Sequence, residues 1–266
     1  MAMKMKFFIH FRFARSILII LILFGGAYRS YSQNQDSLKK IIAVNGSVSI
    51  TNNGFGYIPS FALNKPAAIA KVTADEANLS FYGEFRYALE GRPWALALIS
   101  RYKLINTSKE QISVGIQFPS IIFRNVSGIF SGSPKQILSA KPGIAPEFRT
   151  NFQLSDHFSI GGDYTYFRWV DNTAPQTGHL MFLRAHITNI KISDDLNFSV
   201  EPQVFYLRVD KTDGFYPLLN IVLAKDKFPI TLSSMIYNAI DSNIGGKYSN
   251  WNVSVNYLFS SSYSKK

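Results

Sequence analysis

The chain has no cysteine, which excludes disulfides, thiolate metal sites, a cysteine nucleophile and a lipid anchor on an N-terminal cysteine of the mature chain. Charge is also scarce, because 17% of the residues are charged whereas 47% are hydrophobic. No apolar run reaches the roughly 20 residues that a membrane-spanning helix needs. If the chain resides in a membrane it must therefore cross it as strands, since only helices and closed barrels hydrogen-bond every backbone group within a bilayer.

The first 32 residues have the features of a secretory signal peptide. Basic residues precede the apolar run Ile17–Phe24, and Ser30 and Ser32 occupy the −3 and −1 positions of a cleavage site before Gln33. A membrane anchor is the alternative, but the run is too short to span a bilayer as a helix. We therefore expect residues 1–32 to be removed from the exported protein.

Basic residues outnumber acidic ones, giving a formal net charge of +11. Five basic residues and no acidic ones precede the predicted cleavage site, which leaves 23 basic and 17 acidic residues from Gln33 onward. This balance indicates either attraction to anionic solutes and lipopolysaccharide phosphates, or lysine and arginine side chains that simply face water and headgroups. No motif supports nucleic-acid binding, and we predict no cofactor.

The clearest strand pattern lies near the end of the chain. Alternate positions there are apolar: Trp251, Val253, Val255, Tyr257 and Phe259. Successive side chains of a strand point to opposite faces, so these residues share one face and the small polar residues between them share the other. An apolar face with aromatic residues at both ends is typical of a strand that crosses a bilayer, because tryptophan and tyrosine settle at the headgroup level.

Similar alternation recurs from Gly46 onward, interrupted by turn signals. It predicts an all-β fold, a single antiparallel up-and-down transmembrane β-barrel of about 12 strands, with 10 as the alternative. The expected segments are the signal peptide (1–32), a periplasmic leader (33–45), the barrel (46–259) and a short periplasmic tail (260–266). Longer links are expected near residues 53–66, 127–135, 171–178 and 241–249, alternating with short turns. This alternation of long and short links is expected for an even number of strands with both chain termini in the periplasm of a Gram-negative cell. It therefore predicts a location in the cell outer membrane. A soluble β-sandwich is the rival fold.

Six segments carry a resemblance to a known family: Asn45–Gly54, Ile58–Ala68, Arg92–Trp94, Arg101–Asn106, Asp213–Tyr216 and Trp251–Phe259. In these segments the chain resembles an uncharacterised family of predicted outer-membrane β-barrels from Bacteroidota. The resemblance implies a barrel in the outer membrane. The family has no established activity, so no functional residue carries over. One departure is that Ser260–Lys266 follow Phe259, whereas barrel chains often end on the final aromatic residue.

The polar phase of the predicted strands carries ten residues that we expect to line the lumen: Glu84, Arg86, Arg101, Lys103, Glu147, Arg149, Asp163, Arg184, His186 and Glu201. They form either a charged pore wall that selects solutes by sign or an ion-pair network that fills a narrow barrel. The first interpretation predicts a porin-like channel for small solutes, with a mild preference for anions. The second predicts a closed barrel with a structural or partner-binding role through its outer loops.

An outer-membrane lipid hydrolase or acyltransferase is a third hypothesis, and it would depend on His186. His179 and His186 are seven residues apart and lie on opposite faces of a strand, which excludes a paired-histidine metal site. A Gly-x-Ser-x-Gly elbow is absent as well. We therefore predict no catalytic, cofactor-binding or metal-binding residue and no enzyme activity, and the oligomeric state stays open.

Overall fold

The computed structural model describes residues 41–130 and 133–264, and most of these residues lie in strands. The strands are β1 (Ile41–Thr51), β2 (Ala67–Glu76), β3 (Leu79–Ala88), β4 (Arg92–Asn106), β5 (Glu110–Phe130), β6 (Ser133–Ser155), β7 (Phe158–Trp169), β8 (Thr177–Lys191), β9 (Leu196–Val209), β10 (Thr212–Lys225), β11 (Ile230–Asn238), β12 (Asp241–Ser242) and β13 (Ser249–Ser264). Within these ranges no helix has the length and apolar character needed to cross a membrane. The predicted signal peptide (1–32), residues 33–40 of the predicted leader, and residues 265–266 lie outside the described part of the chain.

The sheet closes into a ring where the last strand meets the first. β13 pairs antiparallel with β1 from Ile41↔Ser264 to Thr51↔Ser254, and its other edge pairs with β11. β11 also pairs with β10, so twelve strands form the wall, whereas the two-residue β12 only pairs with β10. The predicted single antiparallel barrel of about 12 strands is confirmed, and the structure does not have the alternative count of 10.

The first and last strands are longer than the sequence pattern predicts. β1 begins at Ile41 rather than at Gly46, and β13 continues past Phe259 to Ser264. The two extensions pair with each other, so each supplies the hydrogen-bond partners that the other needs. Residues 41–45 and 260–264 therefore belong to the barrel wall, and the predicted boundaries of the leader and the tail were wrong at these positions.

The outer face of the barrel is apolar and its inner face is largely polar near the middle. On β13, Trp251, Val253 and Val255 are 54%, 46% and 49% exposed, whereas Asn252 and Ser254 between them are buried. Leucine, isoleucine and phenylalanine side chains are exposed in the same way on the other wall strands. A surface with this much apolar area is stable against lipid and not against water. The predicted orientation, apolar rows outside and charged rows inside, is confirmed.

Gly46 shows why a residue without a side chain is needed on this outer face. It pairs with Phe259 of β13, and a Cβ atom at Gly46 would lie 2.2 Å from the Phe259 ring. The ring therefore covers the glycine backbone, a cross-strand arrangement that compensates for the poor packing of glycine in a strand.

A long hairpin replaces one of the predicted loops. The sequence predicts a loop at residues 127–135, but β5 continues to Phe130 and β6 begins at Ser133. β4 pairs with β5 only as far as Ile122, and β7 pairs with β6 only as far as Gly143, so the rest of the hairpin pairs with itself. Mutual backbone hydrogen bonds outweigh the weak strand propensity of its glycine and serine residues.

Trp94 faces the interior, although the alternation of β4 places it on the lipid side. The pairing of β4 with β3 skips Trp94 as it passes from Ala95 to Pro93, which is the geometry of a β-bulge. The extra residue shifts the inward phase by one position. Trp94 is consequently buried, and its Nε1 donates a hydrogen bond of 3.0 Å to the carbonyl oxygen of Phe61.

The two ends of the barrel differ. The terminal end, as we call it, carries Ile41, Ser264 and the short turns at residues 77–78, 107–109, 156–157, 192–195 and 226–229. The opposite loop end carries the connections at 52–66, 170–176 and 243–248, together with short links at 89–91 and 210–211. Three of the four predicted longer links are therefore present, and the strand parity follows the expectation for a membrane barrel.

A charge on the outer face should destabilise the barrel according to its depth. We expect Val255→Arg, which lies between the exposed apolar residues Ile50 and Leu232, to lower the free energy of unfolding by about 2–4 kcal/mol. Tyr263→Arg is the control on the same face of β13 near the terminal end, and it should cost about 0–1 kcal/mol. Equilibrium unfolding in lipid vesicles measures both, and equal costs would contradict the lipid-facing assignment.

Candidate solute pathway

Two cavities lie inside the barrel. The loop-side cavity has a volume of about 650 Å³ and is lined by residues near the loop end, among them Trp94, Ile122 and Phe167. The terminal-side cavity has a volume of about 510 Å³ and is lined by residues near the short turns, among them Gln111 and Asn151. Both volumes are within the range of small-molecule sites.

The structure places all ten residues that the sequence assigns to the lumen along these cavities. Glu84, Arg86, Glu147 and Asp163 line the loop-side cavity, Lys103 and His186 line the terminal-side cavity, and Arg101, Arg149, Arg184 and Glu201 line both. The last four residues and Tyr57 border both spaces, and we call these five residues the waist. Side chains from distant parts of the chain thus meet in the lumen, because they are the inward-facing residues of β3, β4, β6, β7, β8 and β9.

One carboxylate of the lumen is shared by two arginines. Asp163 Oδ1 accepts hydrogen bonds from Arg184 Nη2 at 3.0 Å and from Arg149 Nε at 3.1 Å. Arg184 Nη1 also contacts the second carboxylate oxygen, so Arg184 binds Asp163 in a bidentate manner. Three charged groups from β6, β7 and β8 are therefore held in one fixed arrangement at the waist.

Other charges of the lumen are also paired. Arg101 donates to Glu147, whose second oxygen accepts from Gln117 Nε2 at 3.3 Å. Arg86 donates to Glu84, and Lys103 Nζ lies 2.9 Å from Asp75. The ion-pair network that the sequence left as one interpretation is therefore present, but it lines cavities and does not fill them.

The basic side chains of the waist are more exposed to the cavities than their acidic partners. The Arg149 side chain is 35% exposed and that of Arg184 is 18%, whereas Glu147 and Asp163 are 5% and 12% exposed. The carboxylates lie behind the guanidinium groups they bind. A solute at the waist therefore meets these guanidinium groups ahead of their carboxylates, together with the carboxylate of Glu201, whose side chain is 21% exposed.

The connection between β1 and β2 folds into the barrel instead of forming an outer loop. Its neck closes where Gly54 N donates to Lys65 O at 2.7 Å and Leu63 N donates to Gly54 O at 3.0 Å. We call the residues between, 55–63, the inner segment. Phe55, Ile58 and Phe61 of this segment are buried in an apolar cluster with inward-facing residues of β7–β11, including Trp169, Leu180, Phe205, Leu207, Tyr216, Leu218 and Tyr237.

Charged and polar groups of the wall hold the inner segment in place. Arg86 Nη1 donates to Phe55 O at 2.9 Å, and Trp94 Nε1 donates to Phe61 O. At its outer surface, Gly246 has a φ of +130° and lies so close to Pro59 that a Cβ atom would be 2.7 Å from the Pro59 Cβ. A residue with a side chain at Gly246 would displace this contact.

Tyr57 is the part of the inner segment that reaches the waist. Its ring makes edge contacts with Phe182 and Phe205, with centroids 4.9 Å and 5.9 Å away. Because Tyr57 borders both cavities, its position decides how much space joins them. The sequence pattern predicts only a link at residues 53–66 and gives Tyr57 no role, although four large apolar or aromatic residues between 55 and 61 are unusual for a solvated loop.

The apolar part of the inner wall was not predicted either. Glu201 and Gln203 are inward-facing, and the same phase of β9 continues with Phe205, Leu207 and Val209, all of which are buried. The inward face of β9 is thus apolar beyond Gln203, and this pattern was the available signal that something apolar fills the loop end. The β8–β9 pairing also lapses around Pro202, between Arg184↔Gln203 and Ile187↔Val200.

His186 lies beside an acidic residue, but the serine that pairs with it across the strands does not face the cavities. Its Nδ1 lies 3.4 Å from Glu201 Oε2, and its cross-strand partner is Ser159. Ser159 is buried and borders neither cavity, so a substrate in the lumen would not reach its hydroxyl. Among the described residues no group of three histidine, aspartate or glutamate side chains could hold a metal ion.

At the mouth, Lys141 forms a contact that supports the inner segment. Its buried Nζ donates to Asp171 and to the Thr173 carbonyl oxygen at 2.9 Å, and it lies 5.8 Å from the centroid of the Trp169 ring. Trp169 in turn packs edge-on against Phe61. Hydrogen bonds from Lys141 and Thr173 hold the pKa of Asp171, in the 170–176 loop, below its ordinary value.

Comparison with solved structures identifies related folds. The KdgM porin in complex with disordered oligogalacturonate matches with a TM-score of 0.50 at 12% identity, over 82% of this chain and 99% of that one. The NanC porin matches with a TM-score of 0.44 at 13% identity, over 85% and 100% of the two chains. An outer membrane channel from Pseudomonas putida F1 matches with a TM-score of 0.46 at 7% identity, over 87% and 98%. No protein-family model and no curated protein sequence matches. At these identities the likeness shows the fold alone.

The Lys141–Asp171 contact should open in acid. A depressed aspartate pKa means that the contact contributes stability above the ordinary value of about 3.9 and loses it as the pH falls through the lower folded value. We therefore expect Trp169 fluorescence to stay constant from pH 7 to about pH 4 and to change below that range. Asp171→Asn should show the changed emission at neutral pH with no further titration. Identical profiles for the wild type and this variant would exclude the mechanism.

Proposed function

We propose that this protein is an outer-membrane channel for small solutes whose passage is narrowed by the inner segment. The observation that carries the proposal is the arrangement of the two cavities, which share one waist of Tyr57, Arg101, Arg149, Arg184 and Glu201. A solute that enters from either end reaches the same few side chains, so these residues control passage.

The outer surface supports a location in the outer membrane. Below the protruding part of the β5–β6 hairpin, each of the twelve strands pairs along both edges, and the exposed apolar rows suit a hydrocarbon environment. The predicted signal peptide would supply export. On the six segments quoted above, we also propose that the chain belongs to the outer-membrane barrel family of Bacteroidota that it resembles.

Charge in the terminal-side cavity supports a preference for small anions. Four basic residues line it (Arg101, Lys103, Arg149 and Arg184), against one acidic residue, Glu201. A field of one sign in a narrow water-filled space raises the local concentration of the opposite ion. Carboxylates suit the waist in particular, because guanidinium groups bind planar carboxylate groups through two parallel hydrogen bonds.

The division of the lumen suggests how passage occurs. The loop-side half is largely occupied by the apolar cluster and the inner segment, so a solute moves past Tyr57 along the charged wall of β3–β6. At the waist, the donors of Arg149 and Arg184 replace part of the water around the solute. The bound acidic groups Asp163 and Glu147 limit how strongly an anion is held, which favours its release.

The apolar cluster favours one alternative, a closed barrel with a structural or partner-binding role. Phe55, Ile58 and Phe61 are as buried at the loop end as residues of a protein core. If the inner segment never moves and the gap beside Tyr57 is too narrow for ions, the protein conducts nothing. A lipid hydrolase has no comparable support from the contacts of His186.

Conductance in planar bilayers tests the channel and its selectivity. We expect the folded protein to give stepwise currents with a modest anion preference, and Arg149→Gln to reduce that preference, because Arg149 has the most exposed guanidinium group of the waist. Lys225→Gln, an exposed residue at the terminal end, is the control for removal of one positive charge and should leave selectivity unchanged. Absence of any current from folded wild-type protein would support the closed barrel instead.

The narrowing by Tyr57 is tested separately. We expect Tyr57→Ala to increase single-channel conductance, because it removes the ring that borders both cavities. It should also destabilise the barrel, because the half-buried ring packs against Phe182 and Phe205. Tyr102→Ala, on the lipid face, is the control and should leave conductance unchanged. A second variant removes residues 55–63 and joins Gly54 to Asn64, whose backbones already share a 3.2 Å hydrogen bond. If neither Tyr57→Ala nor this deletion conducts more than wild type, the inner segment does not limit passage.

A further inference from the structure

The outer face of β7–β10 changes in character from row to row towards the loop end. Cross-strand partners define each row. The first row is small or aliphatic (Gly162, Leu183, Val204, Pro217), the second is mainly aromatic (Tyr164, Met181, Tyr206, Phe215), and the third is polar and charged (Tyr166, His179, Arg208, Asp213). Neighbouring strands are about 4.8 Å apart, so residues within a row are direct neighbours.

Arg168 lies one step beyond the third row on the same face. It is two residues after Tyr166 in β7 and pairs with Thr177 of β8. Arg168 and Arg208 are both exposed, and the residues on either side of Arg208, Leu207 and Val209, are buried inside the barrel. We call Arg168, His179 and Arg208 the rim patch.

The order of the rows matches the depth profile of a membrane. Aliphatic side chains suit the hydrocarbon core, aromatic side chains suit its boundary, and basic side chains suit the headgroup level. The rim patch therefore lies at the level of the headgroups in the leaflet next to the loop end. This placement depends on the membrane location of the barrel but not on whether the barrel conducts.

The rim patch is confined to one side of the barrel. β1, β11 and β13, which form another part of the wall, contain no charged residue over their described lengths. The basic side chains of the rim patch lie on three adjacent strands, β7–β9, and a general attraction to headgroups would not need such clustering. The asymmetry indicates a local binding site.

We propose that the rim patch binds a phosphate group of an anionic lipid, namely a phosphorylated glycolipid of the outer leaflet. Arginine matches phosphate through paired N–H donors, and Arg168 and Arg208 present two guanidinium groups on the same outer face. The aromatic row beneath them contacts the acyl chains and the glycolipid boundary. A lipid satisfies both parts of this surface, whereas a free anion satisfies the basic part alone.

The neighbouring side chains orient the site. Tyr164 Oη and His179 Nδ1 are 2.9 Å apart, which leaves Nε2 of the imidazole for a ligand. Arg208 Nε donates to the Asp210 carbonyl oxygen at 3.4 Å. This hydrogen bond uses one of the five N–H donors of the Arg208 guanidinium group. Asp213, at the β10 end of the third row, accepts a 2.9 Å hydrogen bond from Tyr206 Oη. Its negative charge places the phosphate on the β7–β9 side.

Binding of purified lipid A to the detergent-solubilised protein, measured by native mass spectrometry, tests the proposal. We expect diphosphoryl lipid A to bind the wild type, and Arg168→Gln with Arg208→Gln to weaken this binding at least tenfold. Lys191→Gln with Lys225→Gln removes two positive charges at the terminal end and should have no effect. The heat-dependent mobility of each barrel on gels and its far-UV circular dichroism show that it is folded.

Two ligand controls distinguish the sources of phosphate. Dephosphorylated lipid A should bind the wild type at least tenfold more weakly than the diphosphoryl form, and inorganic phosphate at equal concentration should not displace lipid A. Equal binding of both lipid A forms, equal binding by the double arginine variant, or displacement by inorganic phosphate would each overturn the proposal. Conductance of the double arginine variant should equal that of the wild type, so a failure of the channel hypothesis and a failure of this one give different results.

Discussion

Backbone hydrogen bonding inside lipid is the constraint on which the rest of this structure depends. No water is available there to satisfy N–H and C=O groups, so each strand needs a partner on both edges. Pairing of β13 with β1 removes the last free edges and creates an inside and an outside. From that point each strand residue faces either lipid or the lumen, and the alternation of Trp251, Val253 and Val255 with small polar residues has a direct physical cause.

Closure also creates an interior that must be either filled by side chains or left as solvated space, and this barrel contains regions of both kinds. Near the loop end, the inner segment and residues such as Phe205 and Tyr216 exclude water by apolar packing. Near the middle, Asp163 holds two arginines at positions where cavities remain on either side. The charged wall alone would leave a wide lumen, and the apolar cluster alone would close it. The two meet at Tyr57, whose side chain borders both cavities.

The charged lumen was predictable, whereas its apolar part was not. Glu84, Arg86 and Glu201 lie in strands with regular alternation, so a period of two assigns them to the inner face. The alternation of β4 puts Trp94 on the lipid side, but a β-bulge changes the phase, and a bulge has no dependable signature in a single sequence. The inner segment was taken for an ordinary link because burial of Phe55 and Phe61 depends on β7–β11, which begin about 100 residues later in the chain. The hairpin at residues 127–135 was missed because strand pairing overrides local propensity.

The amino-acid sequence by itself determined the strand class, the antiparallel barrel, its approximate strand number, and which charged residues belong to the inner phase. It could do so because alternation along a strand is a local property that any window of about ten residues shows. Only the tertiary structure decided where β1 and β13 begin and end, which carboxylate binds which guanidinium, and that residues 55–63 enter the lumen. These features depend on contacts between residues far apart in the chain, which come together only when the ring closes.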